Sequence, residues 1–321
     1  MPLRPLLRLT VPLVGRLDRP KPGATVEERR AADAASPLGM RTLSRRSRKP
    51  VAERDHAVPV EGGSIRVRVY TPVAAVASAD GPLGVHVYFH GGAFWLSTVD
   101  DYDPLCRWYA AEAGCVVVSA EYRLAPEYKY PTQPEDCYAA LLWTVANAEL
   151  LGVDTARVSV GGTSAGGSLA AAVTMMARDR GGPSLVLQVL EIPALDCTLS
   201  GASVQEFASG YVLTRAAMDE AVEFYLADPA QAYEPYASPL LAEDLSGLPP
   251  ALVLTAEYDP LRDDGESYGT RLRAAGVPVE IRRYRGHIHG SFYITRFMPS
   301  ARRASAAAVA ALRRAHGRGR G

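Results

Sequence analysis

The 321-residue chain has few cysteines, no net charge and no long hydrophobic run, and each of these absences excludes a class of protein. Its four cysteines, Cys106, Cys115, Cys137 and Cys197, lack the paired spacing of a metal site or disulfide framework, which favours reduced thiols and a cytoplasmic location. Thirty-five basic and 35 acidic residues cancel, so composition gives no electrostatic case for binding nucleic acid. No apolar run approaches the roughly 20 residues that cross a bilayer, so we expect no stable membrane insertion.

What the sequence has is a regular alternation of strand-like and helix-like segments. The strand candidates are residues 57–60, 65–70, 85–89, 115–120, 158–161, 185–192, 251–256 and 279–284. The first two flank a Glu-Gly-Gly-Ser hairpin signal at residues 61–64, and the later strands alternate with helical stretches at residues 134–147, 168–178, 261–275 and 301–315. This order predicts an α/β fold whose mostly parallel eight-stranded sheet is covered by helices on both faces.

A Gly-Thr-Ser-Ala-Gly pentapeptide at residues 162–166 lies between one of these strands and the helix that follows. A serine at such a strand-to-helix turn has a strained backbone that tolerates only small neighbours, and its hydroxyl stands at the carboxyl edge of the sheet. Ser164 is therefore a candidate nucleophile. An aliphatic hydroxyl is a weak nucleophile at neutral pH, so it needs a base and an acid that orients the base.

Three histidines follow Ser164 in the chain. His316 lies in a basic tail without a core-forming pattern, which we expect to be frayed. His287 and His289 stand just after the last predicted strand, where either could reach the serine. The acid candidate is Asp259, at the carboxyl end of the strand at residues 251–256, whereas Asp263 and Asp264 are better explained as first-turn residues of the next helix.

Acyl transfer also needs donors for the oxyanion that forms. Residues 90–94 (His-Gly-Gly-Ala-Phe) follow the third strand, and bare glycine backbone allows the N–H groups of Gly91 and Gly92 to face one point. The N–H of Ala165, next after the nucleophile, would be a third donor. We expect His90 to brace the loop and not to act as the base.

Five motifs occur together in one order, at residues 90–93, 122–127, 162–167, 259–265 and 289–290. With them, the chain resembles the hormone-sensitive-lipase-like branch of the α/β-hydrolases, which are bacterial family IV esterases. The resemblance covers most of residues 57–315. It implies the α/β-hydrolase fold with a helical cap, and it favours His289 over His287 because the family places the catalytic histidine directly before a glycine like Gly290.

The resemblance implies a role for each site residue. It makes Ser164 the nucleophile, Asp259 the orienting acid and His289 the base, with Gly91, Gly92 and Ala165 as the oxyanion hole, and it implies no cofactor and no metal. The chain departs from the family pattern at Ala93, which replaces the third loop glycine, and at Ser291, which separates Gly290 from Phe292.

Two segments fall outside the strand and helix alternation. Residues 1–50 include a capping box at Thr25 that opens a helix to Ala35, and an insertion at about 198–245 includes Thr214 as the N-cap of a helix to Leu226. The resemblance implies that both form a cap over residues 51–321, the catalytic domain, and that the cap shapes the acyl pocket.

The activity implied is that of a serine carboxylesterase acting on short- to medium-chain acyl esters through an acyl-enzyme intermediate. A deacetylase that modifies one secondary metabolite with the same residues stays open as an alternative. A non-catalytic ligand receptor on the same fold is the alternative from another class, and the presence of His289 argues against it. A homodimer is also left open.

Overall fold

The structure, a computed structural model, describes residues 3–8, 11, 23–36, 39–77 and 81–317. Its centre is one eight-stranded sheet. The strands are β1 (Val51–Val60), β2 (Gly63–Pro72), β3 (Leu83–Phe89), β4 (Val116–Glu121), β5 (Val153–Thr163), β6 (Leu187–Glu191), β7 (Ala251–Tyr258) and β8 (Val279–Ile288). Their order across the sheet is β1-β2-β4-β3-β5-β6-β7-β8.

The sheet opens with an antiparallel hairpin and continues as parallel strands. β1 pairs with β2 through the turn that joins Val60 to Gly63, and β2 pairs antiparallel with β4. Every later pair, from β3–β4 to β7–β8, is parallel. The predicted mostly parallel eight-stranded sheet is therefore confirmed, and it brings the carboxyl ends of β5, β7 and β8 to one edge, where the loops after them can meet.

The helices lie on both faces of this sheet. They are α1 (Val26–Ala34), α2 (Met40–Leu43), α3 (Val73–Ala77), α4 (Val99–Tyr109), α5 (Thr132–Ala146), α6 (Ala148–Leu151), α7 (Ala165–Asp179), α8 (Ala202–Glu206), α9 (Arg215–Tyr225), α10 (Arg262–Ala274) and α11 (Pro299–Ala315). A π-helical turn at Ala110–Gly114 continues α4, and short 3₁₀ turns occupy Pro229–Tyr233, Pro239–Leu241 and Ser291–Tyr293.

The core is built on both faces because successive strand residues point in opposite directions. Val87 of β3 belongs to a buried cluster with Leu169 of α7. Its neighbour Tyr88 belongs to the cluster on the other face, with Leu254 of β7 and Leu312 of α11. All seven residues of β3 are buried, as expected for a central parallel strand with helices on each side.

Both predicted caps of the outlying helices are present. Thr25 accepts a hydrogen bond from the Glu28 N–H at the start of α1, and Thr214 accepts one from the Ala217 N–H at the start of α9. Nearer the amino terminus, Leu7 packs in a buried cluster with Ile288, at the end of β8. The amino-terminal segment thus touches the strand that precedes the candidate catalytic histidine.

Candidate active site

Ser164 occupies the sharp turn between β5 and α7. Its backbone has φ 56° and ψ −121°, a conformation that costs a non-glycine residue free energy and persists only when its surroundings hold it. The Ser164 N–H donates to the Glu191 carbonyl at 2.9 Å, which ties the turn to β6. A Cβ atom on Gly166 would lie 2.1 Å from the Phe89 carbonyl oxygen, so this position accepts only glycine.

Asp259, His289 and Ser164 form a continuous hydrogen-bonded chain. Asp259 Oδ2 is 2.9 Å from His289 Nδ1, and His289 Nε2 is 3.0 Å from Ser164 Oγ. An ionised carboxylate can only accept, so Nδ1 carries the hydrogen and Nε2 is left to accept from the serine. Asp259 is completely buried, and its other oxygen accepts from the Leu261 N–H at 2.9 Å, which fixes the carboxylate.

His287 has different surroundings from His289. It is fully buried, its Nδ1 lies 2.8 Å from Ser291 Oγ, and the Ser291 hydroxyl donates to the Ile288 carbonyl. Burial lowers the pKa of His287 to about 4. Ser291, one of the departures from the family pattern, is therefore the partner of His287, and the short 3₁₀ turn that it begins still buries Phe292.

The loop after β3 runs close to the nucleophile, since a Cβ atom on Gly91 would lie 3.4 Å from the Ser164 Cβ. Gly92 has φ 112°, and a Cβ atom there would lie 2.1 Å from the Leu96 carbonyl oxygen. In the part of the chain that the structure describes, no acceptor is found for the backbone N–H of Gly92 or of Ala165. The Gly91 backbone packs against the buried Tyr102 side chain, and a Cβ atom on Gly91 would lie 2.6 Å from the Tyr102 hydroxyl oxygen.

The buried His90 side chain packs against this loop and supports it. Its ring is fully buried and stacks on Tyr122 at 4.3 Å between centroids, and its Nδ1 lies 2.7 Å from the Gly91 carbonyl oxygen. The Tyr122 hydroxyl donates to the His90 carbonyl. Burial lowers the pKa of His90 to about 4, so the ring stays neutral. The expectation that His90 braces the loop agrees with these contacts.

The charged residues of the motif at residues 122–127 have partners that the sequence did not identify. Arg123 makes a two-pronged ion pair with Asp136, whose side chain is 1 % exposed. Glu127 pairs with Arg30 of α1. The only signal in the sequence was the general rule that charges beside a buried loop need a counter-charge.

A third serine–histidine group, also inside the protein, contains Ser159, His86 and His316. Ser159 Oγ, in the middle of β5, is 2.9 Å from His86 Nδ1 and 3.0 Å from His316 Nε2. All three residues are at most 2 % exposed, so no substrate can reach this serine without unfolding of the core. The expectation that His316 is frayed is wrong, because its ring packs against Gly84 and holds the end of α11 on the sheet.

The acidic residues after Asp259 do more than cap a helix. Asp263 and Asp264 lie in the first turn of α10, as predicted. Asp264 is nevertheless buried, and its Oδ2 accepts from the backbone N–H groups of Leu195 and Asp196, which joins α10 to the chain after β6. Burial raises the pKa of Asp264 well above its usual range.

Two other features, a metal-binding cluster and a membrane-spanning helix, are absent from the described residues. Among them, no group of three or more histidine, cysteine, aspartate or glutamate side chains is placed to hold a metal ion. None of the helices that the structure describes combines the length and the apolar character needed to cross a bilayer.

Comparisons with known proteins agree with this geometry. A family model described as the alpha/beta hydrolase fold matches residues 86–293. An arylesterase of Saccharolobus solfataricus is 40 % identical over 242 residues, which cover 75 % of this chain and 77 % of that protein. An ethyl acetate hydrolase of Pseudomonas putida is 37 % identical over 222 residues, 69 % of each chain. The solved structure of a hyperthermophilic esterase from the archaeon Pyrobaculum calidifontis superposes with a TM-score of 0.91, at 41 % identity, over 98 % of this chain and 99 % of that one.

Proposed function

The chain belongs to the hormone-sensitive-lipase-like esterase branch of the α/β-hydrolase family, and from that premise we propose that it is a serine carboxylesterase whose nucleophile is Ser164. The observation that carries the proposal is the continuous chain from the Asp259 carboxylate through His289 to the Ser164 hydroxyl. The same chain argues against a non-catalytic receptor, because a receptor has no need of a base positioned on a serine.

The reaction follows from the roles in this chain. His289 Nε2 takes the Ser164 proton while Oγ bonds to the ester carbonyl carbon, and the carbonyl electron pair moves to oxygen. Collapse of this tetrahedral adduct breaks the bond to the alkoxy oxygen, which leaves as the alcohol with the proton from His289. Water, deprotonated by His289, then attacks the acyl carbon and forms a second tetrahedral adduct. Its collapse breaks the bond to Ser164 Oγ, which recovers a proton from His289 as the acid leaves. Asp259 holds the imidazole in the required tautomer and stabilises its charged form.

Backbone N–H groups would hold the oxyanion. Gly92 and Ala165 suit this role because their N–H groups have no acceptor within the described residues. The Gly91 backbone is packed against the Tyr102 hydroxyl, so we propose that Ala93, two residues along the loop, supplies the third donor in its place. Donors fixed before the reaction stabilise developing charge without reorganisation.

The substrates we propose are short- to medium-chain acyl esters. The ethyl acetate hydrolase among the relatives supports a small acyl group. We also propose that residues 1–50 and the insertion at about 198–245 form a cap over the site, which the Arg29–Glu220 ion pair between α1 and α9 supports. We propose a cytoplasmic location as well, which the burial of all four cysteine side chains outside any disulfide supports, and a homodimer.

Replacement of Ser164 and, separately, of Ser159 tests the assignment. We expect Ser164→Ala to lower turnover of 4-nitrophenyl acetate and butyrate by about 10³-fold or more, because covalent catalysis is lost. Ser159→Ala is the matched control, since Ser159 also bonds two histidines but is sealed in the core. It should keep activity within about threefold and lose stability of about 1–3 kcal/mol. A folded, active Ser164→Ala protein beside an inactive Ser159→Ala protein would reverse the assignment.

A further inference from the structure

The oxyanion loop holds an unusual number of strained residues. Ala93, Phe94 and Ser97 have φ of 54°, 66° and 68°, all in the left-handed region that non-glycine residues avoid. Such a strained backbone persists only where several surrounding contacts hold it in place. Whatever holds this loop therefore also sets where its N–H groups point.

The Arg30 side chain, which comes from the amino-terminal helix α1, forms hydrogen bonds to this loop and to the neighbouring Ala125. Arg30 of α1 donates from Nε to the Trp95 carbonyl at 2.8 Å and from a terminal nitrogen to the Ala125 carbonyl at 2.6 Å. The Ala125 N–H in turn donates to the Phe94 carbonyl at 3.0 Å. The Arg30 guanidinium thus fixes Trp95 directly and Phe94 through one further hydrogen bond, immediately after Gly92 and Ala93.

The Trp95 side chain is held from two sides as well. It is 4 % exposed, with the Arg29 guanidinium 4.4 Å above its ring and Phe224 of α9 in an edge-on contact at 5.3 Å. Helix α1 thus contacts the Trp95 ring through Arg29 and the Trp95 carbonyl through Arg30. The loop has little freedom to relax while α1 is in place.

The ion pair of Arg30 with Glu127 holds the loop less firmly than the bonds from Arg30 to the two backbone carbonyls. Glu127 is bonded to the same guanidinium, but its side chain is 52 % exposed. Water screens such a pair, whereas the bonds to Trp95 and Ala125 are partly buried. Replacement of Arg30 should therefore displace the loop more than replacement of Glu127.

We propose that Arg30 is a positioning residue that sets the oxyanion loop, so that helix α1 of the amino-terminal segment is part of the catalytic apparatus. This inference rests on the proposed esterase function. Arg30 contacts none of the reacting groups, and it acts through the position of the Gly92 and Ala93 N–H groups. These groups bind the transition state more tightly than the substrate, so their displacement lowers kcat and leaves KM nearly unchanged.

The test compares Arg30→Met, Arg30→Lys and Glu127→Gln in the full chain, with kcat and KM measured separately on 4-nitrophenyl butyrate. We expect Arg30→Met to lower kcat by about thirtyfold, equivalent to about 2 kcal/mol, with KM within about threefold. Arg30→Lys reaches only one carbonyl at a time and should fall by about fivefold. Glu127→Gln, which leaves both carbonyl bonds intact, should stay within about threefold.

A trifluoromethyl ketone gives an independent readout, because its adduct with Ser164 places an oxyanion in the hole. Its affinity should fall in each variant by the same factor as kcat. A folded Arg30→Met protein with kcat within about threefold of the original would overturn the inference, as would an equal loss in Glu127→Gln. If Arg30→Met does not fold, an unchanged kcat in Arg30→Lys overturns it.

A fluorophosphonate separates this inference from the proposed function. Labelling of the unmodified protein, and none of Ser164→Ala, supports the esterase whatever the Arg30 variants do. An unmodified protein that neither reacts with the probe nor hydrolyses esters would overturn both proposals.

Discussion

The histidines at positions 287 and 289 are two residues apart and have different surroundings. The sequence left the choice open on geometry, because alternate residues of an extended chain can face the same side. In the structure, His289 lies between Asp259 and Ser164, whereas His287 is sealed against Ser291 and Phe292. The burial that lowers the pKa of His287 also removes it from contact with any substrate.

Replacement of each histidine distinguishes these two environments. We expect His289→Ala to abolish acylation, because within the described residues no other base bonds to the Ser164 hydroxyl. His287→Ala should change turnover by less than about tenfold, which is about 1.4 kcal/mol, but should lower the free energy of unfolding because it opens a cavity and leaves the Ser291 hydroxyl with one partner fewer. Ester turnover and urea unfolding of both variants provide the check. A dead His287→Ala protein with an active His289→Ala protein would exchange the roles.

The elements show where sequence patterns suffice and where they do not. The sequence predicted helix α7 from residue 168, three residues later than its observed start at Ala165, because Gly166 and Gly167 are poor helix formers. In the fold both residues belong to the helix, and they must be glycines because Phe89 and Pro193 leave no room for a side chain. Helix α4 was not predicted at all, since Pro104 lies inside it.

Strand β6 contains a buried carboxyl group, Glu191, which the composition of the strand did not predict. Residues 185–192 were predicted as a strand, and all five residues of β6 are buried, including Glu191. The Glu191 carboxyl accepts from the Tyr109 hydroxyl, and burial raises the pKa of Glu191 to about 7. The backbone carbonyl of the same residue holds the Ser164 N–H. A titratable group therefore lies directly under the nucleophile turn.

The raised pKa predicts how Glu191→Gln changes the dependence of stability on pH. The folded protein keeps this carboxyl neutral up to about pH 7, whereas the unfolded chain releases the proton near the ordinary glutamate pKa of 4.5. Its stabilising contribution is thus complete below about pH 4.5 and is lost as pH rises to about 7, by at most about 1.4 kcal/mol per pH unit. Glutamine has no proton to lose, so the variant should gain stability relative to the original protein between about pH 5 and about pH 8. Urea unfolding at both pH values measures this difference, and a pH-independent difference would contradict the raised pKa.

At the scale of the whole molecule, the order of motifs was enough to predict the fold and to select the serine, the acid and the histidine that the structure brings together. Contacts between residues outside these motifs were beyond prediction. Arg29 and Glu220 are 191 positions apart, and nothing in either local pattern indicates the other. The same holds for Arg30 and the Trp95 carbonyl. Such pairs depend on how segments far apart in the sequence pack together, and the spacing of apolar residues within one segment does not predict that packing.

The coupling free energy of the Arg29–Glu220 pair therefore reports how strongly this ion pair joins α1 to α9. Both terminal nitrogens of Arg29 bond to the carboxylate, at 2.7 and 2.6 Å, and the side chains are only 16 % and 35 % exposed. A double-mutant cycle with Arg29→Met and Glu220→Gln should give a coupling free energy of about 1 kcal/mol by urea unfolding, at the upper end for partly exposed pairs.

The matched control is the pair of Lys49 with Glu112, which makes a single contact from a lysine that is 50 % exposed. Its cycle should give less than about 0.5 kcal/mol, because water screens the ammonium and the flexible side chain loses entropy on pairing. Raising the salt concentration should reduce the control coupling more than the Arg29–Glu220 coupling, since partly buried charges are screened less. Equal couplings in the two cycles would mean that α1 and α9 are held together by the contacts of Trp95 with Phe224 and Arg29 rather than by the ion pair.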